Sequence, residues 1–208
     1  MMSEEIKEVN TEEDEKKKKI KSIISFSVTI LVCLIIAKLF TTFVIRSVEV
    51  EGHSMSTTLS DGDKALTDAL FYKMGNIKRF DIVIVKKKEG KYKGEELVKR
   101  VIALPGETLE YENGVLYING EVVEETFISD EVKELTFNKN YRYKKVLGDD
   151  EYFVMGDNRD NSSDSRYFGA ITKSEIKGRG LLRFMVCTKK DSSNQCSKRK
   201  FIWPSSVK

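Results

Sequence analysis

Few residues of this 208-residue chain could carry out chemistry. It has one histidine, His53, so a cluster of histidine ligands cannot be assembled within the chain, and its three cysteines disfavour a cysteine-rich metal site; we predict no metal and no cofactor. A Ser-His-Asp triad would have to use His53, which directly precedes Ser54. Neighbouring residues of an extended chain point to opposite faces, so the imidazole does not easily reach the adjacent hydroxyl. We interpret His53 as a partly exposed polar residue beside a turn.

A serine can instead be activated by a neutral lysine that is kept away from water. Lys99 is the best candidate, because alternation in the segment 97–103 (LVKRVIA) places it on one face with Leu97, Val101 and Ala103. If Lys99 is to act as a base, its pKa must fall from about 10.4 by roughly two to three pH units. That shift means that the charged form is disfavoured by about 3 to 4 kcal/mol, which burial can supply. The alternative is that Lys99 extends from an edge strand and keeps its ammonium group in water.

A third polar segment, residues 156–166 (GDNRDNSSDSR), follows the apolar run 152–155. It therefore begins where a strand gives way to a tight loop that is dense in hydrogen-bonding groups. A solvated turn is one interpretation. A calcium loop is another, but the EF-hand spacing fails because Arg159 occupies the third position and Ser162 replaces the glycine.

The N-terminal part predicts a membrane anchor over residues 20–45. Residues 23–45 carry a single formal charge, Lys38, and would span roughly 34 Å as a helix. A cleaved signal sequence has a shorter apolar stretch, of about 7 to 15 residues. Lysines at 16, 17, 18, 19 and 21 precede the stretch, so we expect a cytoplasmic N-terminus and an external C-terminal part. Residues 1–19 are polar and predict a disordered tail.

The C-terminal part has short runs of β-branched and aromatic residues separated by glycine and asparagine turns, a pattern that predicts short strands. We therefore predict a mainly β fold, with one transmembrane helix, an antiparallel β domain and a small inserted β subdomain. The β domain comprises residues 46–105 and 151–208, and the insertion residues 106–150. Asn-Gly pairs at 113–114 and 119–120 predict hairpins in the insertion. A net charge of only +3 argues against nucleic acid as a partner. The candidate strands are 44–51, 81–87, 97–103, 115–118, 151–155 and 181–187.

These segments together resemble the bacterial type I signal peptidases, or leader peptidases, and more particularly those of Gram-positive bacteria. Residues 52–59 (GHSMSTTL) resemble the nucleophile motif, 98–106 (VKRVIALPG) the general-base strand, and 156–166 the signature loop; 79–83 (RFDIV) resembles a further family segment. These motifs come after a single N-terminal anchor and in the same order as in the family. The resemblance extends from about residue 20 to residue 204.

The resemblance implies a membrane-bound serine endopeptidase that removes N-terminal signal peptides from exported preproteins at the outer face of the cell membrane. Ser54 would be the nucleophile and neutral Lys99 the general base, with the Ser54 N–H helping to stabilise the oxyanion. Ser162 would hydrogen-bond and orient the Lys99 amine. The other supporting residues would be Asp157, Asp164, Arg166 and Arg100.

Two departures from the family pattern concern the nucleophile turn. Thr57 stands where the family usually has proline, which removes a fixed φ angle and could leave the turn looser. Gly52 stands where some members have a serine that helps bind the oxyanion, so that contribution must come from elsewhere or be absent. Neither change removes the nucleophile or the base.

The expected partners are the lipid bilayer and the signal peptides of preproteins, with small residues at the first and third positions before the cut. An extended peptide can add to a strand edge, with shallow pockets at alternate positions. Apolar strand residues of this kind can equally belong to the core. The predicted pocket residues are Met55, Leu59, Phe80, Asp81, Ile82, Val83 and Val98.

Two alternative functions, and the state of two cysteines, remain to be considered. The chain could be a membrane-tethered β domain that binds an exported partner without cleavage. A self-cleaving Ser-Lys protease of the repressor type is disfavoured by the anchor and by the lack of a DNA-binding module. Cys187 and Cys196, with eight residues between them, either form a disulfide or are two free thiols.

Overall fold

The protein divides between Phe43 and Val44 into a helical unit and a β unit. The computed structural model describes residues 2–128, 132, 142–193 and 195–207. Helix α1 (Met2–Phe43) contains the stretch Lys17–Phe40, which is long and apolar enough to cross a membrane. This fits the predicted anchor. The helix also includes residues 2–19, for which we predicted a disordered tail; that prediction concerns the chain in solution and stays a prediction.

The β unit contains two antiparallel sheets, as the predicted fold class requires. Each of the six predicted strands overlaps an observed strand, with ends that differ by a few residues at most, except that 181–187 lies inside a much longer strand, β11 (Ile176–Lys190). The strands of the larger sheet are β1 (Ile45–Glu49), β2 (Lys64–Asp68), β3 (Ile82–Lys86), β4 (Glu96–Ala103), β9 (Glu151–Met155), β10 (Ile171–Thr172), β11 (Ile176–Lys190) and β12 (Cys196–Val207).

The larger sheet has the strand order β1-β2-β11-β3-β4-β9-β10, with β12 paired to β11. β11 is long enough to pair with β2, β3 and β12 along different parts of its length. β4 pairs with β3 from Glu96 to Arg100, and with β9 from Arg100 to Ala103. Residues 96–99 of β4 therefore have β3 on one side and no described strand on the other.

The smaller sheet lies within residues 108–146 and has the order β7-β6-β5-β8. Its strands are β5 (Thr108–Glu112), β6 (Val115–Ile118), β7 (Glu121–Val123) and β8 (Arg142–Val146). Both predicted Asn-Gly pairs form hairpin turns. Asn113 and Asn119 have φ of 53°, and the glycines that follow have φ of 83° and 84°, as a two-residue type I′ turn requires. The predicted hairpins are confirmed.

Three apolar clusters form the core, and each involves the larger sheet. One joins β4 and β9 to the smaller sheet, through Ile102, Phe153 and Leu109 among others. A second packs Val83 and Val101 around Ile171. The third lies under the segment between β1 and β2 and includes Met55, Leu59, Ala65 and Ile82. From Lys99 onward β4 is buried on both faces, so a polar side chain there must find its partners inside the protein.

Candidate active site

Ser54 lies in a tight turn in the segment between β1 and β2. The carbonyl of its neighbour Met55 accepts hydrogen bonds from the amides of Thr58 (2.8 Å) and Leu59 (2.7 Å). Met55 and Leu59 are buried in one apolar cluster, which anchors the turn and leaves Ser54 half-buried above it. Thr57 is exposed in this turn. Within the described ranges the Ser54 N–H donates to no other group, so it is available to a substrate oxygen.

Lys99 reaches Ser54 from the neighbouring strand β4. Its Nζ lies 2.7 Å from Ser54 Oγ, and the residue is only 2% exposed. Burial lowers the pKa of Lys99 to about 8, against the opposing effect of Asp164 and Asp157, whose charges raise it; Arg166 lowers it further. The amine is thus in direct contact with the hydroxyl and loses its proton far more readily than an exposed lysine.

The loop 156–166 is bonded directly to the turn that carries Ser54. The Asn158 amide donates to the Ser54 carbonyl at 3.0 Å. The Asn158 side chain donates to the carbonyl of His53 at 3.0 Å and to Ser56 Oγ at 2.9 Å. The His53 side chain is exposed, and the single bond that His53 accepts here uses its backbone carbonyl. The loop and the nucleophile turn are therefore held in register by three hydrogen bonds.

Four of the predicted supporting residues form two bidentate ion pairs next to Lys99. Arg100 donates to Asp157 through Nε (2.8 Å) and Nη2 (2.6 Å), and Thr58 Oγ1 donates to the same carboxylate at 2.5 Å. Arg166 donates to Asp164 through Nε and Nη2, both at 2.8 Å. These carboxylates are fully buried, which makes the pairing obligatory. Their predicted supporting roles stay predictions.

Ser162 occupies a buried place beside the dyad. In the part of the chain that the structure describes, its Oγ has no hydrogen-bond partner, and the Lys99 amine is bonded to Ser54 rather than to Ser162 as we had expected. Gly156 separates Ser162 from Ser54: a Cβ at residue 156 would lie 2.3 Å from Ser162 Oγ and 2.4 Å from the Ser54 carbonyl oxygen. Only glycine fits this position without displacing the turn.

A groove of about 690 Å³ leads to Ser54 and Lys99. One wall is formed by residues 46–49 of β1 with 51, 52 and 54, and the other by residues 95–99 at the start of β4. β1 is an edge strand, and residues 96–99 of β4 have no described strand on the side away from β3. Main-chain groups along both walls are therefore placed to pair with an extended peptide.

The predicted pocket residues lie in different surroundings. Val98 lines the groove. Phe80 is partly buried against the cluster shared with the smaller sheet, and Asp81 accepts a hydrogen bond from the Lys78 amide. The pocket assignments stay predictions. The remaining predicted residues, Met55, Leu59, Ile82 and Val83, are buried in the core.

Several residues that support the site were not predicted. Arg159 and Asn158 lie inside the loop 156–166, so the motif itself was the available signal. Glu125 and Tyr111 belong to the insertion and are both buried, in contact with Arg159. No local pattern marks them, because the contact joins residues far apart in the chain. Among the described residues, no group of three or more His, Cys, Asp or Glu side chains is placed to hold a metal ion.

Cys187 and Cys196 form a disulfide, with Cα atoms 5.8 Å apart, at the tip of the β11–β12 hairpin. The hairpin tip packs against Gly62, where a Cβ would lie 2.6 Å from Cys196 Cβ. Asp63 Oδ1 accepts a hydrogen bond from the Cys187 amide at 2.9 Å. The disulfide therefore braces the end of the segment that carries Ser54.

The comparisons with known proteins agree on one family. The model of the family "Signal peptidase, peptidase S26" matches residues 23–185. Signal peptidase I P of Bacillus subtilis subsp. natto is 39% identical over 166 residues, 77% of this chain and 88% of that protein. Signal peptidase IB of Staphylococcus aureus is 32% identical over 182 residues, 81% of this chain and 91% of that protein.

A crystal structure of a signal peptidase I from Enterococcus faecalis V583 is 34% identical and covers 50% of this chain and 96% of that one, with a TM-score of 0.44. The family match covers most of the chain and includes Ser54, Lys99 and the loop 156–166. The chain therefore belongs to the signal peptidase family, peptidase S26.

Proposed function

We propose that this signal peptidase cleaves preproteins with a Ser54–Lys99 dyad, on the outer face of the membrane in which α1 is anchored. Family membership supports signal-peptide removal by a serine-type peptidase. The observation that carries the finer proposal is the 2.7 Å contact between Lys99 Nζ and Ser54 Oγ in a buried setting. A nucleophile and a base within hydrogen-bond reach are the geometric requirement for covalent catalysis.

The low pKa of Lys99 supplies the base. With a pKa of about 8, about a tenth of the molecules carry a neutral amine at pH 7, and about nine tenths at pH 9. An exposed lysine of pKa about 10.4 would be neutral in fewer than about one molecule in a thousand at pH 7. Burial of Lys99 thus raises the population of the competent state by more than about a hundredfold at neutral pH.

The reaction then proceeds in two stages. Ser54 Oγ attacks the scissile carbonyl carbon while its proton passes to the Lys99 amine, and the Ser54 N–H donates to the carbonyl oxygen as that oxygen becomes negative. The Lys99 ammonium next gives its proton to the leaving nitrogen, so the C–N bond breaks and an acyl-enzyme remains. In the second stage a water gives a proton to Lys99 and attacks the ester carbon. The Lys99 ammonium then returns that proton to Ser54 Oγ as the ester C–O bond breaks, which releases the signal peptide and restores the Ser54 hydroxyl and the neutral amine.

The unpartnered hydroxyl of Ser162 suits the proposed role of orienting the amine. While Ser54 holds its proton, the Lys99 amine is bonded to Ser54. Once Ser54 is acylated, the amine needs another partner to keep its direction, and the buried Ser162 hydroxyl also needs one. A bond between the two would satisfy both groups during the second stage.

The substrate would lie extended in the groove between β1 and β4. Main-chain bonds to the two walls are indifferent to sequence, so selection depends on pockets near Ser54. In this proposal Val98, which lines the groove, and the apolar cluster beneath it form a shallow pocket that selects small side chains close to the cut. The lysines before the anchor would hold the N-terminus in the cytoplasm. Anchoring in the bilayer that holds the signal peptide raises the effective substrate concentration.

Cleavage of a preprotein by the full-length chain tests this proposal, with the new N-terminus identified by mass spectrometry. We expect the wild type to cut after a small residue, and Ser54→Ala and Lys99→Ala to lose activity by at least about a thousandfold. Ser60→Ala, in the same segment but exposed, and Lys93→Ala, also exposed, are matched controls that should cut normally. Activity that survives in either dyad variant would exclude the dyad, and a wild type that binds without cutting would favour a tethered binding domain.

A further inference from the structure

One buried carboxylate next to the catalytic loop has no part in the mechanism above. Glu125 follows β7 in the insertion and is 3% exposed. It pairs with Arg159 of the loop through a short contact between Oε1 and Nη2 and a second of 3.2 Å between Oε2 and Nη1. Tyr111 of β5 completes the cluster: its hydroxyl lies 2.9 and 3.0 Å from the Glu125 oxygens and accepts from Arg159 Nη1 at 2.8 Å.

Arg159 transmits this contact to the backbone of the loop. Its Nε donates to the Gly156 carbonyl at 3.1 Å, and its own carbonyl accepts from Arg166 Nη2 at 2.7 Å. Gly156 is the residue that packs against both Ser54 and Ser162. The guanidinium is thus fixed to the insertion at one end and to the backbone beside the dyad at the other.

The same contact belongs to a group of buried ion pairs beside the dyad. In the described part of the chain, Arg100 pairs with Asp157, Arg159 with Glu125, and Arg166 with Asp164. Within the described ranges Lys99 contacts a hydroxyl and no carboxylate. Asp164 and Asp157 raise the pKa of Lys99, but because each of these carboxylates is paired with an arginine, they favour the ammonium ion less than unpaired carboxylates would, which suits a general base.

Glu125 also stabilises the charge of Arg159. The pKa of Arg159 is raised above its usual value although burial lowers it, because the neighbouring Tyr111, Glu125 and Asp157 favour the charged form. Asp157 is itself paired with Arg100, so loss of the Glu125 carboxylate removes a buried ion-pair partner of Arg159.

We propose that Glu125 is a positioning residue for signal-peptide cleavage: through Arg159 it fixes the loop 156–166 against the dyad and keeps the local charges in balance. The insertion that supplies Glu125 and Tyr111 would then be part of the catalytic support. The inference rests on the proposed Ser54–Lys99 chemistry.

The test compares Glu125→Gln with the double variant Glu125→Leu/Arg159→Met in the full-length protein. The single change leaves a buried arginine without its carboxylate, so we expect a lower Tm and a pH-independent limit of kcat/KM reduced by about tenfold or more. The loss of one negative charge should also move the acid limb of the pH profile to lower pH. The double change removes both charges and should restore the Tm, since apolar replacement of a buried pair is often neutral or stabilising.

The double variant should nevertheless stay slow, because the bond from Arg159 to the Gly156 carbonyl is gone. Recovery of both Tm and kcat/KM in the double variant would overturn the proposal, since it would show a role in stability alone. An unchanged kcat/KM and pH profile in Glu125→Gln would overturn it too. Glu112→Gln, which breaks the exposed pair with Arg142 in the same sheet, is the control and should behave as the wild type.

A gentler variant keeps the test decisive if the buried substitutions do not fold. Tyr111→Phe removes only the hydroxyl that contacts Glu125 and Arg159, so we expect it to fold with a Tm slightly below that of the wild type. We expect kcat to fall severalfold with KM unchanged; an unchanged kcat would contradict the proposal. The two proposals fail in different ways. A wild type that does not cut preproteins would contradict the proposed dyad, whereas an active wild type with unaffected Glu125 and Tyr111 variants would contradict only the role given to Glu125.

Discussion

Gly156 gives the most direct structural test of how the loop positions the nucleophile. A Cβ built on this residue would lie 2.4 Å from the Ser54 carbonyl oxygen and 2.3 Å from Ser162 Oγ, whereas ordinary contact begins at 3.4 Å. The Ser162 hydroxyl belongs to a side chain and can rotate away. The Ser54 oxygen belongs to the backbone, so Gly156→Ala must push the nucleophile turn back by about 1 Å or distort the loop.

The size of the effect follows from that displacement. Overpacking of a well-packed site costs about 1 to 3 kcal/mol of stability, so the variant should fold with a reduced Tm. A displacement of about 1 Å in catalytic geometry costs about a hundredfold in rate. We therefore expect kcat/KM for a preprotein to fall about a hundredfold, with most of the loss in kcat because the strand segments of the groove walls, residues 46–49 and 95–99, are unchanged.

Gly148→Ala is the matched control for this substitution. A Cβ at residue 148 would meet the nearest atom, in the flexible Glu151 side chain, at 3.6 Å, which is an ordinary contact. Both variants are assayed at one pH, with circular dichroism to measure the folded fraction. Gly156→Ala cutting at the wild-type rate would refute the reasoning, because it would mean that the turn carrying Ser54 does not depend on contact with the loop.

Two further predictions concern stability. Because the pKa of Lys99 is lowered from 10.5 to about 8 on folding, the unfolded chain binds the proton more tightly, which costs the fold about 3 kcal/mol below pH 8 and nothing above pH 10.5. The difference in the free energy of unfolding between Lys99→Met and the wild type should therefore shrink by about 3 kcal/mol between pH 7 and 10.5. Thermal unfolding in detergent measures this difference, and plots of stability against pH that run parallel for the two proteins would count against a buried amine. Separately, Cys187→Ser/Cys196→Ser should lose about 2 to 3 kcal/mol and some activity because the hairpin tip braces the Ser54 segment, while Cys33→Ser should lose neither; a wild type whose mass does not shift on reduction would exclude the disulfide.

The local features of the fold were predictable because short-range chemistry determines them. Asn113-Gly114 and Asn119-Gly120 adopt the backbone angles that a two-residue turn requires, so sequence alone places these hairpins. The strands around Lys99 and at residues 151–155 were predictable from their apolar and β-branched residues. The strand β2, by contrast, is mixed in character and was missed, since its pairing with β1 and β11 supplies what local propensity does not.

The burial of Lys99 shows where pattern reasoning is incomplete. Alternation predicted one buried face that includes Lys99, but β4 is buried on both faces from that residue onward. A register shift between Val101 and Ala103 further places Ile102 and Ala103 in the same cluster, which strict alternation forbids. The side chain is therefore buried by neighbouring elements as well as by its own strand, which a single segment cannot reveal.

The contacts between distant parts of the chain could not be predicted at all. Glu125 and Arg159 are 34 residues apart, and nothing in the sequence around Glu125 marks a buried acid. The groove likewise joins β1 to β4, which an ion pair between Arg46 and Glu96 links across 50 residues. Such pairings depend on how the sheets pack, so only the folded structure identifies them.

The pH dependence of cleavage tests the central claim most directly, because the claim is that a buried amine, whose pKa is lowered to about 8, accepts the Ser54 proton in its neutral form. We predict that kcat/KM for a preprotein rises about tenfold between pH 7 and 9, with a single acid limb centred near pH 8, the pKa of Lys99 in the folded protein. A profile that is flat over this range, or one whose acid limb lies near pH 6 or above pH 10, would contradict the account.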